Sequence, residues 1–206
     1  MTAARRRLLS RGARIVWYTV AAGMGIAFAV GLGVGALKRP VAPVTVADFT
    51  GLVDGLGRTT DALGLGDHYK LVAYGYTACP EACPATLTKM HLVVAALGDD
   101  LHGLVPLFVT LDPEHDTPDV LTAYVQHFDP RIIGLTGASA RLQHSAALLG
   151  VLPTAGIAAR TPDGGPNHAI RLYLVAPDNT LVRTYELDDP TSLVVADVGR
   201  RITPHG

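Results

Sequence analysis

The stretch YKLVAYGYTACPEACPATLTKMHLVVAAL, residues 69–97, decides the fold of this chain. Residues 69–76 form a compact, mostly apolar run, which predicts a buried β-strand. Residues 84–97 place apolar side chains at helical spacing, and Gly98 then provides a stop signal. These apolar positions are Leu87, Met90, Val94 and Leu97. A strand is therefore predicted to pass into a helix through a short turn that contains both cysteines of the chain.

Outward from this unit, strands and helices alternate along the chain. Further strands are predicted at 104–111, 131–135, 169–175 and 180–187, and further helices at 120–128, 139–149 and 192–202. Pro177-Asp178-Asn179 forms the turn of a late hairpin, and the polar stretch up to Asp67 is predicted to hold a short strand or hairpin. This order predicts an α/β domain with a mixed central sheet covered by helices. It resembles a thioredoxin-like fold.

Composition excludes several classes of protein. Of the 206 residues, 49% are hydrophobic and 17% are charged, which excludes a disordered chain. Residues 40–206 hold 10 of the 17 basic residues and all 18 acidic ones, a formal net charge of −8. A domain this acidic is a poor binder of nucleic-acid backbones, so we expect no nucleic-acid partner.

The N-terminal segment is predicted to be a membrane anchor. Ile15 to Leu37 is a run of 23 residues without a charge. A helix of that length spans roughly 34 Å, enough to cross a hydrocarbon core of about 30 Å. Five arginines precede the run, and two basic residues follow it: Arg5, Arg6, Arg7, Arg11 and Arg14 before, Lys38 and Arg39 after. The excess of positive charge before the run places the N-terminus in the cytoplasm or mitochondrial matrix.

Four segments follow from this interpretation. They are a basic N-terminus (1–14), a transmembrane anchor (15–37), a tether (38–47) and a folded domain (48–206) on the far side of the membrane. A cleavable secretory signal is an alternative, although the apolar run is long for one. A mitochondrial transit peptide is another, although 14 residues before the span is short for one.

The two cysteines lie in the motif Cys79-Pro-Glu-Ala-Cys83-Pro. Pro84 suits the first position of a helix, which would make Cys83 its N-cap. A thiol at a helix N-terminus is expected to have a lowered pKa. The spacing leaves three interpretations open: buried core cysteines, a redox-active pair for disulfide exchange, or two ligands of a soft metal. Two thiolates and one imidazole would suit copper(I).

A third ligand would come from one of eight histidines, and composition does not choose among them. His168 follows a turn-rich loop, residues 162–167, and directly precedes the predicted strand 169–175. His115 lies in the loop after the strand 104–111. His91 shares a helical face with Cys83, but two turns of helix separate the two residues.

Asp112 and Asp116 have two interpretations. Asp116 precedes Thr117 and Pro118, a helix start, so it is predicted to cap that helix, and Asp112 to begin a turn. Both carboxylates are also candidates for supporting the metal ligands or recognising a partner.

Three blocks of sequence resemble the Sco/SenC family of copper chaperones. The blocks are YGYTACPEACPATL (74–87), LDPEHDTP (111–118) and FDPRIIGLTG (128–137). His168 falls where that family carries its copper-binding histidine. His115 is a departure, because the family commonly has Arg there.

The resemblance implies a thioredoxin-like domain that binds one copper ion through Cys79, Cys83 and His168. It implies a single-pass inner-membrane protein facing the periplasm, or the intermembrane space of a mitochondrion. The recipient would be the copper-bearing subunit of cytochrome c oxidase, whose binuclear centre the family helps to assemble, or another copper acceptor. An upstream copper donor protein is a further expected partner.

Two other functions remain open at this stage. A thiol-disulfide oxidoreductase that reduces the cysteines of a copper-site recipient would need Cys79 and Cys83 but not His168. A copper or redox sensor would use the same residues and a dedicated partner. A metallochaperone is favoured over an enzyme.

Overall fold

A mixed six-stranded sheet forms the centre of the described chain. The computed structural model describes residues 45–152 and 168–203, without the side chains of Asp99 and Asp100. The strands are β1 (Leu52–Val53), β2 (Tyr69–Gly75), β3 (Leu104–Thr110), β4 (Ile133–Gly137), β5 (Arg171–Val175) and β6 (Leu181–Glu186). The α-helices are α1 (Ala82–Leu97), α2 (Pro118–Phe128), α3 (Ser139–Leu148) and α4 (Thr191–Ile202), and short 3-10 helices cover Leu65–Asp67 and Gly98–Gly103.

The strands lie in the order β1-β4-β3-β2-β5-β6. The central strands β2, β3 and β4 are parallel, whereas β1, β5 and β6 pair in antiparallel fashion. The β2–β3 register runs from Tyr69 opposite Leu104 to Gly75 opposite Thr110. The ends of these two strands therefore lie side by side, which places the cysteine turn after β2 next to the loop after β3.

Both faces of the sheet are covered. In β2, Leu71 and Ala73 face a core shared with α1, α2 and α4. Val72 and Tyr74 face the opposite core, to which α3 contributes. A strand that is buried on both faces is apolar at consecutive positions, and this explains the compact run at 69–76.

The predicted α/β architecture is confirmed, including the mixed sheet and the late hairpin. The stretch before Asp67 contains β1 and a bridge between Val53 and Thr59. Among residues 45–152 and 168–203, no helix is both long and apolar enough to cross a bilayer. The predicted anchor, Ile15 to Leu37, lies outside the described residues.

Lys89 ties α1 to the loop between β6 and α4. The Lys89 side chain is buried, and its Nζ donates to the carbonyl oxygens of Glu186 (2.8 Å), Leu187 (2.9 Å) and Asp189 (2.6 Å). A buried ammonium is tolerated only when its donors are satisfied, as they are here. One side chain thereby fixes the helix that carries Cys83 against the end of the sheet.

We predict that Lys89→Met lowers the free energy of unfolding by about 2 kcal/mol or more, because the buried Lys89 side chain loses three hydrogen bonds to backbone carbonyls. Urea denaturation at neutral pH measures the change. Thr88→Ala is the matched control, since exposed Thr88 is the neighbouring residue on the same helix, and its effect should stay within about 0.5 kcal/mol. A Lys89→Met protein as stable as the wild type would contradict the assignment.

Asp129 follows α2 and is held by two partners. Arg131 donates Nε to one carboxylate oxygen (2.8 Å) and Nη2 to the other (2.7 Å), and His91 Nδ1 lies 2.8 Å from the latter oxygen. These contacts, with Arg131 as the largest influence, lower the pKa of Asp129 well below its ordinary value of 3.8. A carboxyl whose pKa is lower in the folded state than in the unfolded state stabilises the fold at pH values above the unfolded-state pKa. This stabilisation is lost as the pH falls from the unfolded-state pKa through the folded-state pKa.

We therefore expect Asp129→Asn to be less stable than the wild type at pH near 7, with the difference narrowing as pH falls below about 4. Denaturant unfolding of both proteins at neutral and at acid pH measures the two differences. A difference that stays constant across this range would show that the Asp129 charge contributes nothing to acid sensitivity.

Candidate metal centre

The two cysteines lie between the end of β2 and the first turn of α1. Both are free thiols, and both are buried, Cys79 at 8% and Cys83 at 2% exposure. The backbone N–H of Cys83 donates to Sγ of Cys79 at 3.4 Å, and the N–H of Cys79 donates to the carbonyl of Tyr76 at 3.3 Å. The turn therefore holds two sulfur atoms close together in an ordered backbone.

The predicted role of Cys83 as helix cap is wrong. Helix α1 begins at Ala82, and Glu81 occupies the cap position. Its carbonyl accepts from the N–H of Ala85 at 3.1 Å, closing the first turn around Pro84. The first four N–H groups of a helix have no partner within the helix, so proline fits at its third residue without losing a hydrogen bond. Cys83 thus lies inside the first turn.

The expectation of a lowered thiol pKa also fails for Cys83. Burial raises the pKa of this thiol well above its ordinary value of 9.0, and the neighbouring Cys79 raises it further. A hydrogen bond from the backbone of Tyr76 opposes these effects without overcoming them. Desolvation in the core outweighs the helix terminus here, so in the absence of a cation Cys83 is a protonated thiol at neutral pH.

Asp116 connects the cysteine turn to the loop after β3. Its buried carboxylate accepts from the backbone N–H of Thr77 (3.1 Å), from the Thr77 hydroxyl (2.5 Å) and from the Thr110 hydroxyl (2.5 Å). The prediction that Asp116 caps the next helix is wrong, because Thr117 is the N-cap of α2. The Asp116 carboxylate instead accepts hydrogen bonds from Thr77, after β2, and from Thr110, at the end of β3.

Asp112 begins a turn, as predicted. Its carbonyl accepts from the N–H groups of His115 (3.1 Å) and Asp116 (2.9 Å). Its carboxylate lies 2.9 Å from Nδ1 of His115, and this contact raises the pKa of the exposed histidine. His115 is thus engaged at the surface of the loop.

His168 lies beside the cysteine turn. It precedes β5 by three residues and is partly exposed. Its ring lies 5.9 Å from the ring of Tyr76, centroid to centroid, at an interplanar angle of 72°. In the described parts of the chain, no three His, Cys, Asp or Glu side chains are grouped closely enough to hold a metal ion. The structure brings His168 next to the residue that precedes the turn, without closing a three-ligand set.

Other histidines have partners away from the cysteines. The contacts are His68 with the carbonyl of Gly64 (3.0 Å), His91 with Asp129 (2.8 Å) and His144 with Asp48 (3.4 Å). His205 and the predicted loop 162–167 lie outside the described residues.

Sequence reasoning missed the aromatic wall around Cys83. A Cβ on Gly75 would lie 2.5 Å from Sγ of Cys83 and 2.9 Å from Cζ of Phe108, so only glycine fits beneath the thiol. The Phe108 ring packs against Tyr124 of α2 at a centroid distance of 6.0 Å. The spacing of Leu121, Tyr124, Val125 and Phe128 on one helical face is the signal that could have indicated this wall.

A mixed sheet with paired cysteines at a strand-to-helix turn defines a thioredoxin-like protein. The chain belongs to the SCO1/SenC family, whose sequence model matches residues 39–203. It is 32% identical to the mitochondrial SCO2 homolog of Mus musculus over 163 residues, which cover 78% of this chain and 64% of that protein. It is 31% identical to the mitochondrial SCO1 homolog of Homo sapiens over 150 residues, which cover 72% of this chain and 50% of that protein. The aligned regions thus span between half and two thirds of these relatives.

Solved structures with the same fold include copper-bound ones. The copper-bound structure of Arabidopsis thaliana ScoI has a TM-score of 0.66 at 26% identity, covering 76% of this chain and 98% of that one. The copper-bound structure of Bradyrhizobium japonicum ScoI has a TM-score of 0.63 at 28% identity, covering 75% of this chain and 98% of that one.

We predict that Gly75→Ala destabilises the fold by about 1–3 kcal/mol and displaces Sγ of Cys83, because the added methyl group has no space. Thermal unfolding and the rate at which Cys83 reacts with a thiol reagent measure the two effects. Gly66→Ala is the matched control, since a Cβ there meets nothing within 4 Å. Equal stability of Gly75→Ala and Gly66→Ala would contradict the tight packing.

Proposed function

We propose that this chain is a membrane-anchored copper metallochaperone that carries one copper ion on Cys79, Cys83 and His168. The observation that carries the proposal is the pair of free, adjacent thiols at the strand-to-helix turn, with the His168 ring beside Tyr76. Two thiolates and an imidazole fit copper(I), a soft cation that accepts low coordination. Membership of the SCO1/SenC family and the copper in two related structures support the same cargo.

The described residues have defined roles in this proposal. Cys79 and Cys83 bind as thiolates, and each must lose its proton when copper arrives. His168 binds through a neutral ring nitrogen and, lying at the partly exposed rim, is the ligand best placed for handover. Asp116 holds the cysteine turn against the loop after β3. Acid should weaken binding, because protons compete for all three ligands.

The location and partners follow from the sequence and the family resemblance. Residues 1–14 remain in the cytoplasm or matrix, residues 15–37 anchor the chain in the inner membrane, and residues 38–47 form a tether. The domain 48–206 then faces the periplasm or the intermembrane space. There it would take copper from a donor protein and assist assembly of the binuclear copper centre of cytochrome c oxidase. The excess of acidic side chains on this domain favours encounters with basic surfaces of a donor or recipient.

A thiol-disulfide oxidoreductase is the second candidate, and one observation favours it. The two thiols are adjacent, whereas no third ligand among the described residues joins them in a metal-holding group. In this role the pair would reduce a disulfide of the recipient and become oxidised itself, and His168 would be dispensable.

An anaerobic copper(I) titration of the reduced full chain in detergent, against a competing chelator, separates the two candidates. We expect one copper per chain, and at least tenfold weaker binding (about 1.4 kcal/mol) for His168→Ala. His115→Ala is the matched control, because His115 is a loop histidine engaged with Asp112. Equal affinity of wild type and His168→Ala would exclude His168 as a ligand and favour the oxidoreductase.

A further inference from the structure

Three arginines on β6 and α4 surround the carboxylate of Asp197. Nη2 of Arg200 lies 3.1 Å from Oδ1, Nε of Arg201 lies 3.4 Å from the same oxygen, and Nε of Arg183 lies 3.8 Å from Oδ2. Oδ2 also accepts a hydrogen bond from the buried hydroxyl of Tyr185 at 2.8 Å. We call these three residues, Arg183, Arg200 and Arg201, the arginine cluster.

The arginine cluster carries more positive charge than Asp197 can neutralise. Three guanidinium groups face one carboxylate, and α4 contains no other acidic residue, so the group has a formal charge of +2. The Asp197 side chain is 8% exposed, whereas those of Arg183 and Arg200 are 50% and 69% exposed. The carboxylate therefore lies beneath the guanidinium groups, and the side that faces water is positive.

The stability of α4 does not account for the whole cluster. Cations at the C-terminal end of a helix are favourable, which explains Arg200 and Arg201. Arg183 belongs to β6, where its guanidinium lies over the Tyr185 ring, 5.7 Å from the ring centroid. One guanidinium would be enough to balance the Asp197 charge. The two others are available to a negatively charged partner.

The arginine cluster is a positive region on an acidic domain, because residues 40–206 have a formal net charge of −8. Five other basic side chains are either paired with one carboxylate each or buried: Arg58 with Asp54, Arg131 with Asp129, Arg171 with Glu186, and the buried Lys70 and Lys89. A negatively charged surface repels the domain as a whole and attracts the cluster. Such a surface would therefore orient the domain with the cluster towards itself.

The arginine cluster lies at the end of the sheet opposite the cysteine site. Arg183 of β6 pairs with Leu174 of β5, which pairs with Leu71 near the start of β2. The end of α4 lies at the same side, because a Cβ on Gly103, just before β3, would lie 2.9 Å from the carbonyl oxygen of Ile202. The cysteine turn follows the other end of β2.

The chain enters the domain beside the arginine cluster. The N–H of Leu181 donates to the carbonyl of Thr45 (2.8 Å), and the N–H of Ala47 donates to the carbonyl of Asn179 (2.7 Å). Arg183 is two residues further along β6 than Leu181. Residues 38–44 of the proposed tether span at most about 25 Å when fully extended. Under the proposed function, the tether therefore keeps the membrane within reach of the cluster.

We propose that the arginine cluster is a docking surface for anionic phospholipid head groups, and that docking turns the cysteine site away from the membrane. A guanidinium group presents its N–H donors in a planar fork that matches the oxygens of a phosphate. Head-group phosphates supply the negative charge that Asp197 alone does not. The attachment to a membrane rests on the proposed function, whereas the affinity of the cluster for anionic lipid does not.

The test measures how fast each arginine of the full chain reacts with phenylglyoxal in lipid nanodiscs, read by mass spectrometry. One set of nanodiscs contains phosphatidylcholine alone, and the other an equimolar mixture with phosphatidylglycerol. We expect the arginine cluster to react about fivefold more slowly in the anionic nanodiscs, and the difference to disappear at about 1 M salt. Arg141, an exposed residue of α3 on the other face of the sheet, should react equally in both.

A double variant tests the charges themselves. Arg183→Gln with Arg200→Gln removes two guanidinium groups and leaves Arg201 both to pair with Asp197 and to report on the lipid. Arg201 should then react at the same rate in both kinds of nanodisc. Arg141→Gln is the matched control and should leave the protection of Arg201 unchanged. Thermal unfolding checks that each variant is folded, and the comparison of the two lipids with the wild type depends on no variant.

Equal reaction rates of the wild-type cluster in the two lipids overturn the inference, and so does protection that survives in the double variant. Protection by polyglutamate in neutral nanodiscs, without protection by anionic lipid, would assign the cluster to an acidic protein and overturn it as well.

Flotation of the full chain with vesicles separates this inference from the proposed function. A chain that does not float with phosphatidylcholine vesicles overturns the proposed membrane anchor. Flotation with anionic vesicles that the double variant loses would then still support the arginine cluster as a lipid-binding surface. Flotation with neither kind of vesicle would overturn both the anchor and the docking surface.

Discussion

The carboxylate of Asp116 lies buried where the ends of β2 and β3 meet, and the geometry of the cysteine site depends on it. Its two oxygens accept from Thr77 just before the cysteines and from Thr110 at the end of β3. A buried carboxylate is tolerated only with such donors. If the cysteine turn or the loop after β3 moved away, the Asp116 carboxylate would remain buried without its hydrogen bonds. The cysteine turn is thereby held to the sheet by polar contacts on one side, while Gly75 and Phe108 pack against Cys83.

This arrangement sets the chemistry of the thiols. A helix N-terminus favours negative charge, but it acts within the first turn and is modest in size. Removal of Cys83 from water opposes ionisation more strongly, and the second sulfur adds to that effect. Buried Cys83 is a poor nucleophile while it keeps its proton, which suits a protein that holds a metal without reacting indiscriminately.

Most of the fold could be predicted from the sequence, because the strands β2 and β3 are continuous apolar runs and the helices have clear start and stop signals. The cysteine pair was also evident from its proline-bracketed spacing. The start of α1 could not be predicted, since Pro84 fits several positions of the first turn. The role of Asp116 depends on its contact with Thr77, which lies 39 positions earlier in the chain, and no local pattern encodes such a contact.

The hydrogen bonds of Lys89 couple the opening of α1 to the opening of the loop after β6. Because Lys89 donates to three carbonyls at the end of β6 and in the loop that follows, α1 cannot loosen at this point unless these hydrogen bonds break. Segments joined in this way open together as one cooperative unit rather than fraying separately. The first turn of α1, which holds Cys83, should thus open only together with the core beneath the helix.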